Sequence, residues 1–290
     1  MAPTVLAPSV LAPTVLAAHG LGLGPWVFAP WVPLFAEAGL ELRALSLPGH
    51  DGKSGNASFG DVVRHLDAAV AAVDGPVILL GHSFAGLAAQ VVATQRRLHA
   101  AVFVCPLPPG PMRPPMRPSL LRHVPRALVS LTLGRPFVPS PSAWKELGFS
   151  NLRGASLDHA LARVVPWPNR LCRDLLHPPR VLPTDVDTPV LVTLGGDDPI
   201  LDPSDARVVG DLFEGLVWRY DRLGHTPMLE EGGERMGRDI VNFCLAPARP
   251  KVLESEGFGP AEGAGHALRH ARRGERTKRR SAYGQKKGTP

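Results

Sequence analysis

The stretch Gly81-His82-Ser83-Phe84-Ala85-Gly86 decides how this chain is read. It follows Val77-Ile78-Leu79-Leu80, an apolar run of the length and composition of a buried strand. It precedes Leu87-Ala88-Ala89-Gln90-Val91-Val92-Ala93, which has helical character. A serine at such a strand-to-helix junction sits on a turn so tight that side chains two positions away on either side would meet neighbouring backbone. Gly81 and Ala85 fill those positions, so the match departs from two glycines by one methyl group. A glycine-rich loop with an incidental serine has the same local sequence. The turn therefore needs partners elsewhere in the chain before it means chemistry.

Short apolar runs alternate with longer helical patterns on both sides of this junction, the mark of a parallel sheet covered on both faces. The pattern predicts strands at 14–18, 41–46, 76–81, 100–104, 189–194 and 216–220. It predicts helices at 27–38, 58–73, 84–96, 204–213 and 232–245. The alternation breaks between Pro106 and Asp187, where prolines are dense and short helices are expected at 119–131, 142–148 and 155–164. An excursion of this kind reads as a helical cap over residues 106–187. Its Leu, Val, Trp144 and Trp167 argue against a disordered insert. The core is then 14–105 together with 188–247.

Composition limits the alternatives. The chain has 290 residues, 44% of them hydrophobic, and a net charge of +6. Residues 248–290 hold eleven of the 32 Lys and Arg and four of the 26 Asp and Glu. Residues 1–247 therefore carry 21 basic and 22 acidic side chains, and the basicity belongs to a tail whose composition predicts disorder. A basic run of this kind most often marks a solvated tail, and no specific nucleic-acid partner is expected. Three widely spaced cysteines, Cys105, Cys172 and Cys244, form no disulfide or zinc pattern, which fits a reducing cytoplasm. Residues 1–13 repeat a proline-containing unit, Ala2-Pro3-Thr4-Val5-Leu6 and its two successors, with no basic start and no charge before Glu37. They read as a short leader, or as the product of a start codon placed upstream. The prolines argue against a membrane-spanning segment. The sequence says nothing of oligomeric state.

A serine hydroxyl becomes a useful nucleophile when a histidine takes its proton and a carboxylate orients that histidine. His225 follows the last predicted strand in Leu223-Gly224-His225-Thr226-Pro227-Met228-Leu229-Glu230, with Gly224 freeing the turn. Gly195-Gly196-Asp197-Asp198-Pro199-Ile200-Leu201-Asp202 follows the preceding strand. Its spacing favours Asp198 as the acid, with Asp197 as runner-up and Asp202 as a helix cap. His82 adjoins the serine and is expected to point away from it. The loop Ala18-His19-Gly20-Leu21-Gly22-Leu23-Gly24 lets backbone approach a substrate closely. Together with the residue after the serine, it offers the amides of Leu21 and Phe84 as donors to a developing oxyanion. The same glycines suit a phosphate, but no Gly-Lys-Ser/Thr pattern or ribose-binding acid follows.

These motifs, with Pro25-Trp26 and Ser46-Leu47-Pro48-Gly49-His50-Asp51-Gly52-Lys53-Ser54, stand in the order found in one superfamily. From about Pro13 to Leu245 the chain resembles the α/β-hydrolases, in particular lysophospholipase-like or carboxylesterase-like members with a helical cap. The resemblance implies an α/β-hydrolase fold with a mostly parallel sheet; the usual leading hairpin is expected to be absent or degenerate here, which leaves about six strands. It implies attack of Ser83 on an acyl carbonyl and release of the acyl-enzyme by water that His225 activates, with no metal or organic cofactor. The expected substrate is a small-molecule ester with a small to medium apolar acyl group, a monoacylglycerol or lysophospholipid among the candidates. Leu23, Trp26, Leu107, Met112 and Met228 are expected on its pocket wall, along with Leu21, Phe84 and Met116. Arg113, Arg117 and Arg122 are candidate head-group contacts. The same three residues would also serve C–C bond hydrolysis, lactone opening or perhydrolysis. A non-catalytic ligand-binding protein on this fold is a further alternative.

Overall fold

Six runs become six parallel strands; the four inner ones are buried almost throughout, as strands between two helical layers must be, and the two edge strands are only partly covered. In the computed structural model, which describes residues 12–51, 55–110, 118–183 and 187–246, they are β1 (Thr14–Ala18), β2 (Glu41–Leu45), β3 (Val77–His82), β4 (Ala100–Val104), β5 (Val190–Gly195) and β6 (Leu216–Tyr220). They form a single sheet in the order β2-β1-β3-β4-β5-β6, with every neighbouring pair parallel. Most of the proline repeat, together with Met112, Met116, Arg113, Arg117 and the basic tail, lies outside the described residues.

Side chains alternate across the sheet with period two, and this sorts the helices. Val15, Ala17, Ile78, Leu80, Val102 and Val104 share a core cluster with residues of α1 (Val32–Glu37) and α10 (Gly233–Leu245). Leu16, Ala18, Leu79, Ala101 and Phe103 face the other way, onto α2 (Phe59–Ala71), α3 (Phe84–Ala93) and α9 (Pro203–Phe213). Side chains start α2 and α9: Ser58 and Asp61, then Asp202 and Asp205, form capping boxes. Asp202 is therefore a cap, as its position before Pro203 implies.

Strand order reverses beside β1, with β2 on one side and β3 on the other. In such sheets the crevice beyond the carboxyl ends of the strands at this switch is where ligands bind. The loops after β1, β3, β5 and β6 all leave from that edge. The chain between β4 and β5 is helical: α4 (Pro118–Leu121), α5 (Val124–Thr132), α6 (Pro141–Ala143) running into a π-turn at Trp144–Gly148, α7 (Gly154–Leu161) and α8 (Asn169–Leu175).

Several expectations change in detail. The helix expected over 27–38 is a 3-10 turn, Pro25–Phe28, followed by the short α1, because Pro30 breaks it and Pro33 is tolerated only in the first turn of a helix. The helix expected over 119–131 is broken into α4 and α5, with Pro125 in the first turn of α5. Helix α8 lies between proline pairs, and its seven residues are too few to show a helical period.

Candidate active site

Ser83 stands at the junction of β3 and α3 with φ 57° and ψ −123°, a conformation rarely occupied by a residue other than glycine. The turn is held by three backbone bonds: Ser83 N–H donates to Val104 O, while Gly86 N–H and Leu107 N–H donate to Ser83 O. Neighbouring residues are small because there is no room. A Cβ on Gly81 would lie 2.5 Å from Ala85 O, and one on Gly86 would lie 2.8 Å from Pro106 Cβ. Ala85 is fully buried in α3.

Two further side chains meet this serine. His225 Nε2 lies 2.9 Å from Ser83 Oγ, and His225 Nδ1 lies 2.8 Å from Asp198 Oδ2. A carboxylate only accepts, so Nδ1 carries the ring proton and Nε2 is left to accept from the serine hydroxyl. Asp198 Oδ1 in turn accepts from the amides of Ile200, at 2.8 Å, and Leu201, at 3.0 Å. Burial opposes ionisation of Asp198. The adjacent His225 and these hydrogen bonds outweigh burial and hold the acid below its ordinary pKa. Asp197 is exposed, and Asp198 is the aspartate that meets His225.

Two more histidines brace the loops around this relay, a role that sequence reasoning missed. His82 does not point away: its Nε2–H donates to His225 O at 2.7 Å. His19 accepts from Leu47 N–H and donates through Nδ1–H to Gly20 O. Burial pushes the pKa of each of these two rings down to about 3, so both are neutral. Glu230 Oε2 accepts from Gly224 N–H at 2.6 Å and from Asn151 Nδ2 at 2.9 Å, and burial raises its pKa. The spacing His225-x-x-x-x-Glu230 was visible in the sequence, but nothing in it located Asn151.

An apolar cavity of about 280 Å³ opens beside Ser83 and His225. Leu21, Leu23, Phe84 and Leu107 line it, as expected from the sequence. Trp26 and Met228 do not. Trp26 lies under the guanidinium of Arg163, 4.7 Å from its ring centre, and Met228 is buried in the core. In their place stand residues of the helical excursion, including Leu120, Val124, Ala127, Trp144, Leu147 and Trp167. Gly22, at φ 72°, explains how close that layer comes: a Cβ there would collide with the indole of Trp167. Cys105 Sγ, Asp198 and His225 bring potential metal ligands within 4.8 Å of one another. They fit a metal poorly. Burial drives the Cys105 thiol well above its ordinary pKa, and the other two side chains are already bonded to each other.

A family model described as "Alpha/beta hydrolase family" matches residues 15–238. This chain belongs to that family. No curated protein matches it by sequence. Among solved structures it is similar to a monoacylglycerol lipase from Paleococcus ferrophilus, at 22% identity over 80% of this chain and 93% of that one, with a TM-score of 0.59. It is also similar to a soluble variant of monoglyceride lipase from Saccharomyces cerevisiae, at 17% identity over 82% and 87%, with a TM-score of 0.62. A methylesterase from Arabidopsis matches at 14% identity over 79% and 98%, with a TM-score of 0.59. At these identities the likeness is one of fold.

Proposed function

We propose that this hydrolase-family protein is a serine carboxylesterase that works through an acyl-enzyme. The observation that carries the reading is the relay of two hydrogen bonds, Ser83 Oγ to His225 Nε2 at 2.9 Å and His225 Nδ1 to Asp198 at 2.8 Å, at the wall of an apolar cavity. His225 takes the hydroxyl proton as Ser83 Oγ bonds to the ester carbonyl carbon. Asp198 stabilises the imidazolium that forms, and His225 then protonates the departing alcohol. Water, deprotonated by the same ring, releases the acid and restores Ser83. Phe84 opens α3, where an amide has no partner within its own helix. It and the Leu21 amide are the donors for the oxyanion in this scheme.

The cavity volume, about 280 Å³, lies just below the roughly 300–1,000 Å³ usual for ligand pockets, and its wall is apolar. That favours a small to medium acyl chain, with residues 106–187 acting as the cap that shapes it. The similar proteins include a monoacylglycerol lipase and a methylesterase, both enzymes of ester hydrolysis, which is consistent with this reading.

The test is labelling with a fluorophosphonate. The wild-type chain is expected to label, and Ser83→Ala is not. Equal labelling of the two, or none in the wild type, sinks the proposal. A series of aryl esters of increasing chain length then reads the pocket, with activity expected to fall once the acyl group outgrows the cavity. A labelled protein that turns over none of these esters points instead to the C–C, lactone or perhydrolase chemistry open to the same residues.

A further inference from the structure

We propose that α4 and α5 form a docking surface for an anionic lipid interface, seated directly over the cavity. Among the described residues, Leu121, Leu128, Val129, Leu133 and Val138 are exposed by 51%, 49%, 59%, 60% and 53%. These are five of the nine exposed large hydrophobic side chains among the described residues, and they fall within residues 121–138, whereas Val32, Leu176, Leu182 and Leu245 are scattered. Helix α5 carries Val124, Ala127, Leu128, Val129 and Leu131, yet none of its residues is buried. An apolar helix that none of the described residues buries marks an interaction surface.

Two observations identify what covers it. First, the segment's own charges are all basic. Arg122, Arg126 and Arg135 stand among the apolar residues, and no Asp or Glu occurs between Pro118 and Ala143. The carboxylate that reaches the segment is Glu146, which pairs with Arg122 at 3.0 Å and His123 at 3.2 Å. Leu and Val that enter the acyl boundary, beside arginines that reach the headgroups, are the composition of an interfacial helix on anionic lipid. A twofold contact of this face with a second copy would instead bring its arginines, Arg126 and Arg135 among them, toward their own copies. Second, the same segment is a wall of the cavity: Leu120, His123, Val124 and Ala127 line it. A molecule leaving a lipid surface at α5 passes directly to Ser83. The docking geometry stands apart from the chemistry proposed for that serine. Only the inference that the delivered molecule is a lipid ester rests on it.

The experiment is co-sedimentation of the full-length chain with vesicles of about three parts phosphatidylcholine to one part phosphatidylglycerol, against phosphatidylcholine alone. Binding is expected only to the anionic vesicles. The triple variant Leu128→Asp, Val129→Asp, Leu133→Asp is expected to weaken it by about tenfold or more while hydrolysis of a water-soluble aryl ester is unchanged. If the triple variant fails to fold, Arg126→Glu with Arg135→Glu reads the same surface. Ser83→Ala is expected to bind vesicles like the wild type, so a failed hydrolase assay and a failed docking assay are told apart. Equal sedimentation of wild type and triple variant overturns the proposal and assigns binding to the basic segment 248–290. So does a wild type that ignores both vesicles, or one that forms a dimer which the variant loses.

Discussion

His82 adjoins the nucleophile in sequence, but its work is done on the base. Its Nε2–H holds the carbonyl of His225 from beneath, and its Nδ1 faces the place a Cβ would take on Gly20, 2.7 Å away. One ring therefore touches both the His225 loop and the loop that carries Leu21. Replacing it with leucine leaves the His225 carbonyl buried and unpaired, which frees the imidazole to shift. His82→Leu is expected to lower kcat by about 100-fold with little change in KM, because misplacement by an ångström costs that much. His82→Gln, which restores a donor of similar reach, is expected to recover most of the rate; steady-state kinetics on both variants decide it. Equal loss in the two variants would mean that the imidazole does more than donate one bond. Ala85 offers a milder test. It lies fully buried within α3, so Ala85→Gly is expected to raise no rate and to cost about 0.5–1 kcal/mol in chemical denaturation, the helical cost of glycine.

At the scale of elements, the helical excursion is pinned to the His225 loop at one corner. Asn151 Nδ2 donates to Arg222 O at 2.8 Å and to Glu230 Oε2 at 2.9 Å, and Thr226 Oγ1–H donates to Gly148 O at 2.7 Å. Asn151→Ala removes donors from a buried carboxylate that also holds Gly224 N–H. The expected result is a loss of about 1–3 kcal/mol with a parallel fall in kcat, measured by thermal melting and kinetics on one preparation. An unchanged melting temperature would show that water replaces the amide without cost. This corner also marks where the sequence stops being informative. The strands were legible because a strand buried on both faces must be a continuous apolar run, as in Val77–Leu80 and Val190–Leu194. The candidate residues Ser83, Asp198 and His225 were legible because each follows a strand of the sheet in chain order. Leu120, Trp144 and Trp167 were not, since their place on the cavity wall depends on how short helices broken by Pro125 and a π-turn settle on the sheet. Trp26 was misplaced for a related reason: the turn Pro25–Phe28 directs Val27 and Phe28 inward and leaves Trp26 to Arg163.

For the whole molecule, the buried histidines set a limit at acid pH. His19 and His82 titrate near 3 in the folded chain because burial disfavours the imidazolium, against about 6.5 in an unfolded one. Below the unfolded value the unfolded chain binds protons that the folded chain refuses, so stability falls as pH drops from about 6.5 toward 3. Each ring contributes a loss of about 2 kcal/mol by pH 5, and the two together a substantial share of the roughly 5–15 kcal/mol that holds a domain folded. His50, also lowered by burial, acts in the same direction. Asp198 enters later: its depressed pKa stabilises the fold above the usual carboxylate range, and that contribution is lost only as pH falls through the folded value. Urea midpoints should therefore drop steeply between pH 7 and pH 5, before the carboxylates titrate. His82→Gln should flatten that slope by about the share of one ring, even if the variant starts from a lower midpoint at pH 7. A wild-type midpoint that holds constant from pH 7 to pH 5 would mean that the two imidazoles are protonated inside the fold, with their bonds to Gly20 and His225 rearranged.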